Sequence, residues 1–357
     1  MITGLVLQGG GALGAFELGV IEWLLDNRIS PDVVSGVSIG AINASVLAGS
    51  KRADPRDGLR DLWADLTTPT FPPPFDGANG KVALFGNPGM YAPRVDYLNA
   101  WHWTSLYETS PLRATLAKHV DFAKLRPENF TRPPAERAPR LILTATNLVS
   151  GKLDRFDSLE MQVTPEHVAA SGSLPPSFPM TTAPSPAPGG RPVPYWDGGL
   201  FDNTPLSKVI GALEDSPDPD KTMYVVNLFP SAAPLPRNMA EVITRMMTLA
   251  FSNQTEKDLR RAHQTTAIIK LVEELDRLMP AHPELQALAQ HPGYRAVKEL
   301  AAPIRIIEIT NPDVTGPADF SPDALEARRR RGYAAAQASA VSRAAGRRAA
   351  RRPAPGA

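Results

Sequence analysis

The 357-residue chain contains no cysteine. That excludes disulfides, thiol catalysis and zinc–thiolate sites, and it agrees with a reducing compartment. Its six histidines join no acidic cluster with metal-ligand spacing, so neither a metal nor another cofactor is expected. No stretch approaches the ~18 uncharged apolar residues of a membrane-spanning helix. No basic region opens the chain, and its first apolar run is broken by Gly9, Gly10 and Gly11, so no secretory signal is read there. A cytoplasmic protein with at most peripheral membrane contact is expected. Net charge is also scarce, at +1, but it is unevenly spread: residues 327–357 hold nine Arg and no acid, so the remainder is net acidic. No internal repeat is visible.

What the chain does have is glycine in telling places. Ser38 lies in Gly36-Val37-Ser38-Ile39-Gly40, directly after Asp32-Val33-Val34-Ser35 and directly before Ala41-Ile42-Asn43-Ala44. A G-x-S-x-G in strand–turn–helix context is a nucleophile elbow. Its glycines allow a turn that a Cβ would obstruct, and the turn aims the hydroxyl at a helix start that favours developing negative charge.

One unit upstream, the apolar residues 5–7 lead into Gln8-Gly9-Gly10-Gly11-Ala12-Leu13-Gly14 and then a helical segment to about residue 27. The first forty residues thus read strand, glycine loop, helix, strand, elbow, helix. In this βαβ unit both strand ends open on one edge of a parallel sheet, so the two motifs face each other. The backbone N–H groups of Gly9, Gly10, Gly11 and Ala12 are candidate oxyanion donors. The same spacing, Gly9-x-Gly11-x-x-Gly14, satisfies a dinucleotide fingerprint, which needs an acid at the end of the second strand. Asp32 precedes that strand and the Ser38 elbow occupies its end, so the oxyanion reading is preferred.

A base is offered by Val193-Pro194-Tyr195-Trp196-Asp197-Gly198-Gly199-Leu200, where an apolar run ending in Asp-Gly-Gly places a carboxylate at a strand end. The same dipeptide also marks ordinary turns. In a Ser…Asp…His order the histidine would follow Asp197, but His263, His282 and His291 lie in helical or proline-flanked stretches. His102 and His167 precede Asp197 in no better context. All are read as surface or satisfied polar residues.

Together these residues resemble the patatin-like phospholipase family. Gly9-Gly10-Gly11-Ala12, the Ser38 elbow and Asp197-Gly198-Gly199 match its signature blocks in order. Ala170-Ser171-Gly172-Ser173-Leu174-Pro175-Pro176-Ser177-Phe178-Pro179 looks like a further block. The resemblance covers about residues 5–205, and Asp319-Phe320-Ser321-Pro322…Gly332-Tyr333 is similar to the C-terminal ends of bacterial members. It implies an α/β fold, a three-layer α/β/α sandwich with a mostly parallel central sheet. It also implies a Ser38–Asp197 dyad without histidine, with Gly14, Gly36, Gly40, Gly198 and Gly199 shaping the turns. The expected activity is hydrolysis of a lipid or acyl-ester substrate through an acyl-enzyme. An acyltransferase or thioesterase would use the same dyad. A catalytically silent lipid-binding protein would not need Ser38, Asp197 and the glycine loop intact. Leu13 stands where many members carry Arg or Lys, so no anionic-headgroup contact is expected there.

The expected organisation is one domain over residues 1–335, with core motifs at 5–205 and a helical and strand extension at 206–335, then a basic disordered tail at 336–357. Residues 69–107 are rich in Pro, Gly and aromatics, among them Phe71, Phe75, Phe85, Tyr91, Trp101 and Trp103; they read as a cover over the pocket or as a packed irregular insertion. Strands are expected at 141–146, 223–228 and 304–309. A long helix is expected over 240–279, with Met246, Met247, Leu249, Ala250 and Phe251 as core. The nine C-terminal arginines, with 328–331 in a helix begun by Ser321-Pro322, lack local acids. The tail reads as a solubilising extension or as a peripheral contact with anionic membrane. No nucleic-acid partner is expected.

Overall fold

The computed structural model of the chain describes all residues except 69–85, 188, 230–234, 238, 299–302, 315 and 351–357. Phe71, Phe75 and Phe85 therefore lie outside the described residues. The chain opens as β1 (Ile2–Leu7), α1 (Ala15–Asp26), β2 (Val33–Gly36) and α2 (Ile39–Gly49), the order its sequence implied. Helix α3 (Pro55–Leu66) follows, and Asp54 caps it by accepting the Arg56 N–H. Next come the short strands β3 (Ala92–Pro93) and β4 (Tyr107–Glu108), α4 (Ser110–His119), β5 (Arg140–Asn147), β6 (Lys152–Asp157), α5 (Pro165–Ser171), β7 (Thr181–Pro184) and β8 (Pro192–Asp197). The extension adds α6 (Leu206–Glu214), β9 (Lys221–Asn227), α7 (Met239–Leu278), α8 (Pro292–Lys298), β10 (Ile304–Thr310) and α9 (Pro322–Ala350).

The central sheet has the order β10-β9-β1-β2-β5-β8-β7, with β6 also on β5. The run from β10 to β5 is parallel, whereas β6, β7 and β8 are antiparallel to their neighbours. Alternate residues of the inner strands enter opposite cores. Leu5, Leu7, Val34, Leu141, Leu143 and Val226 pack with α1, α2 and α9. Val6, Val33, Ile142, Met223 and Val225 pack with Leu206, Val209 and Leu213 of α6 and Leu259 of α7. Burial on both faces is why these strands read as continuous apolar runs, and it makes the sandwich three-layered. Among the described residues no helix is long and apolar enough to cross a membrane.

Helices α1 and α9 touch backbone to backbone. A Cβ on Gly19 would lie 1.9 Å from the Arg329 carbonyl oxygen, and one on Gly332 would lie 1.9 Å from that of Phe16. Beside this crossing, buried Glu22 accepts from Arg60 and Arg329, each at 2.6 Å.

Three expectations need correction here. The boundary at 335/336 falls inside α9, where Ala336 is fully buried. Four of the nine arginines have partners: Arg329 and Arg330 bind Glu326 one turn back, Arg329 also binds Glu22, Arg331 binds Asp313, and Arg328 donates to the carbonyls of Gly316 and Asp319. Their acids lie just before the arginine run or far away in sequence, which a count from residue 327 onward misses. Met246 and Leu249 are exposed rather than core. The side chains of Met247, Ala250 and Phe251, and those beyond 341, lie outside the described residues.

The crossing generates the first prediction. Gly332→Leu forces the helices apart and destabilises by about 1–3 kcal/mol, the scale of overpacking. Thermal unfolding should show Tm several degrees lower, while Arg330→Ala on the exposed face of the same helix stays within about 1 kcal/mol of the parent.

Candidate active site

Ser38 and Asp197 come together because two strands share one edge of β5. On the opposite edge, β6 pairs with residues 142–147, so β2 and β8 must both use the edge that is left. They approach along it from opposite directions. Gly36 at the end of β2 stands opposite Leu143, and Asp197 at the end of β8 stands opposite Ala145. The elbow leaves β2 at this junction.

The elbow itself is held in an uncommon conformation. Ser38 has φ 55° and ψ −124° and caps α2. For a non-glycine residue such a backbone costs on the order of 1–3 kcal/mol and persists only where its surroundings enforce it. Here the Ser38 N–H is anchored to Ser171, at 3.1 Å from its carbonyl oxygen and 3.2 Å from its Oγ. A Cβ on Gly36 would fall 2.2 Å from the Gly40 carbonyl oxygen. One on Gly40 would fall 2.7 Å from that of Leu7. The turn closes because both positions lack one.

Asp197 is buried, and the Ser38 hydroxyl is near enough to favour its ionised form. Its Oδ1 also accepts the Gly199 N–H at 2.7 Å. Burial pushes the carboxyl up to about 7, against these two donors. Its backbone is fixed as well, with its N–H on the Ser173 carbonyl and its own carbonyl accepting from Thr146 Oγ1 at 2.9 Å.

The glycine loop lies against the serine: a Cβ on Gly9 would sit 2.9 Å from Ser38 Cβ. Of the four candidate donors, Ala12 already gives its N–H to the Pro317 carbonyl at 2.8 Å. The N–H groups of Gly9, Gly10 and Gly11 have no acceptor among the described residues, and these three line one cavity with Ser38 and Asp197. That cavity has a volume of about 440 Å³. Its walls are mainly apolar, with Ile42, Met90, Leu112, Leu174, Phe178 and Phe320 among them.

A serine on an elbow, a buried carboxylate beside it and a glycine loop with spare donors thus meet in one apolar cavity. The family model for patatin-like phospholipase matches residues 5–210, more than half of the sequence. The chain belongs to the patatin-like phospholipase family. The uncharacterized membrane protein Rv3479 of Mycobacterium tuberculosis is 30% identical over 256 residues, covering 61% of this chain and 23% of that protein. Triacylglycerol lipase 4 of Saccharomyces cerevisiae is 50% identical over 46 residues, 13% of this chain and 5% of that one. The chain spans less than a quarter of the length of these curated relatives. Among solved structures, VipD from Legionella pneumophila aligns with 96% of this chain and 67% of its own at 16% identity and a TM-score of 0.47.

In this patatin-like chain no histidine lines the cavity. His263 and His282 are exposed beside Glu308 and Glu284, and His291 accepts the Gly293 N–H. His102 is exposed. His167 is buried, accepting the Thr164 N–H at Nδ1 and facing the Pro184 carbonyl at Nε2.

Other contributors escaped the sequence reading. Asn203 Nδ2 holds the Gly9 carbonyl at 3.2 Å, tying the third signature block to the first. Buried Glu17 accepts the Gln8 N–H at 2.7 Å and Asn43 Nδ2 at 2.9 Å, so it joins the glycine loop to the elbow helix. Burial pushes its carboxyl up to about 8. The placement of Asn203, six residues past Asp197, was the one signal available in sequence. Pro317 had none.

Asp197 sets a pH-dependent prediction. The folded protein keeps this proton up to about pH 7, whereas a carboxyl at its ordinary value of 3.8 loses it much earlier. Raising the pH through that window therefore destabilises the native state, and the cost is complete above about 7. Asp197→Asn removes it. Its unfolding free energy should match the parent's near pH 4 and exceed it increasingly as the pH rises to about 7, by roughly a few kcal/mol, with Tm rising accordingly. A variant no more stable than the parent at pH 8 would show that the carboxylate is not desolvated.

Proposed function

We propose that this chain cleaves fatty-acyl esters of lipids by nucleophilic catalysis, with Ser38 as nucleophile and Asp197 as general base. The observation that carries the reading is that Ser38, on its strained elbow, and buried Asp197 line one apolar cavity together with the glycine loop. A carboxylate near its usual pKa of about 3.9 is a weak base for a hydroxyl. Desolvation answers that weakness, because a base near 7 is matched to neutral pH. Apolar walls suit an acyl chain, and the relative named as a triacylglycerol lipase supports a lipid ester as the substrate class.

The reaction then has two halves. As Ser38 Oγ attacks the ester carbonyl, its proton passes to Asp197. Negative charge collects on the carbonyl oxygen, which accepts from the N–H groups of Gly10 and Gly11, with Gly9 adjoining. The alcohol leaves with the proton from Asp197, and the acyl group stays on Ser38. Water next attacks the acyl-enzyme and gives Asp197 a proton, which returns to Ser38 Oγ as the fatty acid departs. Ser171 holds the nucleophile's backbone throughout, and Asn203 holds the loop.

A fluorophosphonate probe should label the parent at Ser38 and leave Ser38→Ala unlabelled. Asp197→Asn should lower kcat on p-nitrophenyl esters about 10²-fold or more, the scale of general-base loss. Single changes of His263, His282 and His291 should stay near the parent. The parent's kcat/KM should rise with pH to a plateau above about 7, because only the ionised Asp197 accepts the proton. A histidine variant as damaged as Asp197→Asn, or labelling at another serine, overturns the dyad.

A further inference from the structure

The cavity mouth carries an apolar projection that the proposed chemistry does not use. Strands β3 and β4 pair as Ala92 with Glu108 and Pro93 with Tyr107, and residues 94–106 form the tip between them. That tip presents Leu98 at 100% exposure and Trp101 at 97%, together with exposed Val95 and Tyr97. One exposed leucine is ordinary, but four large apolar side chains on one projection mark an interaction site. The tip's ionic groups are turned on one another. Arg94 makes two hydrogen bonds to Asp96, at 3.0 and 2.6 Å, and lies 5.1 Å from the Trp103 ring centre. The apolar crown thus has no unpaired Arg, Lys, Asp or Glu.

The base of the projection is part of the cavity. Leu106 and Tyr107 donate their N–H groups to the carbonyls of Pro176 and Ser177, both at 3.0 Å. The Tyr91, Tyr107 and Phe178 rings lie 4.9 to 6.3 Å apart, and all three line the cavity. Leu106 does both: it lines the cavity and remains exposed. Apolar surface therefore runs from the crown down to the cavity.

We propose that residues 94–106 anchor the protein in a lipid–water interface. Leu98, Trp101, Val95 and Tyr97 enter the headgroup and acyl boundary of a bilayer and set the cavity mouth against it. An ester then reaches the cavity over a continuous apolar surface. Trp and Tyr favour that boundary because their rings have an apolar body and a polar edge. The tip presents no unpaired Arg or Lys, so at neutral pH the attachment does not depend on anionic lipid. The choice of a bilayer as occupant rests on the lipid-ester reading of the cavity.

The test uses the full chain in the Ser38→Ala background, so that lipid is bound and not consumed. Sedimentation with phosphatidylcholine vesicles, at low and high salt, should show Leu98→Ser/Trp101→Ser partitioning about tenfold or more below its parent under both conditions. Trp101→Phe should retain most binding but lose the quenching produced by brominated lipid. With Ser38 restored, the double variant should hydrolyse a soluble short-chain ester at the parent rate, which also reports correct folding, and should be slower on vesicle lipid.

Equal binding by parent and double variant overturns the anchor. So does binding that needs phosphatidylglycerol, disappears at high salt and is removed by truncation after Val341, since that pattern belongs to the basic C-terminal segment. A change only in oligomeric state would assign the patch to a protein contact and also overturn it. Vesicle binding that depends on the tip, in a protein that cleaves no ester, would leave the anchor standing and refute the proposed hydrolase. The reverse pattern would do the opposite.

Discussion

One edge of β5 accommodates two strands, and the rest of the candidate site depends on that sharing. β2 is only four residues long, so it stops and frees the edge for β8 arriving head-on. Each strand then ends where the other ends, which brings a serine and an aspartate far apart in sequence to a common point. Little room remains at the junction. A Cβ on Gly198 would lie 2.4 Å from the Thr144 carbonyl oxygen, so the residue following Asp197 must be glycine for β8 to close against β5. The strained backbone of Ser38 is tolerable because Ser171, on α5, holds its N–H from outside the elbow. Ser38, Asp197 and the Ser171 strain support belong to three elements that meet at one ladder.

Four carboxyls are buried among the described residues; Asp157 pairs with Arg140, and the other three differ in their partners. Glu22 is neutralised by the guanidinium groups of Arg60 and Arg329. It serves the α1–α9 crossing. Glu17 has amide donors and no cation, and burial carries it to about 8. It braces the loop against the elbow helix. Asp197 has one N–H and one hydroxyl, and stops near 7. Removing cations from the neighbourhood of a buried acid raises its affinity for a proton, which is a structural cost at Glu17 and would be an asset at Asp197 in the proposed role of base.

The sequence disclosed those parts of the site whose determinants are local. The elbow is legible because its glycines, Ser38 and the start of α2 are neighbours in the chain. The inner strands are legible because burial on both faces leaves uninterrupted apolar runs such as Leu5-Val6-Leu7. Local patterns could not show where backbone donors go. Ala12 looks like its glycine neighbours until Pro317, on the far side of the fold, takes its N–H. Arginines 328–331 look like a solvated basic run until Glu22, 307 residues from Arg329, is placed beside them. Two-residue strands such as β3 and β4 have no period to detect, so the aromatics near 101 were visible in sequence but not their exposed place on a β3–β4 projection. Met246 and Leu249 mislead for the converse reason, because an apolar helix stripe looks the same whether or not something covers it.

The C-terminal extension is part of the folding unit that makes the site. The family match ends at residue 210, yet β1 lies between β2 and β9, and β9 pairs in turn with β10. Without the extension β1 would be an edge strand with unpaired backbone groups along five residues of its ladder. The Gly19 face of α1 would lose the helix packed directly on it. The cavity would lose Pro317 and Phe320, and Ala12 would lose its acceptor. An Ala12 N–H freed in this way would add a donor to the loop but remove the tether that fixes Gly11 at φ +56°. The extension thus determines which backbone donors of the glycine loop are left to face the cavity.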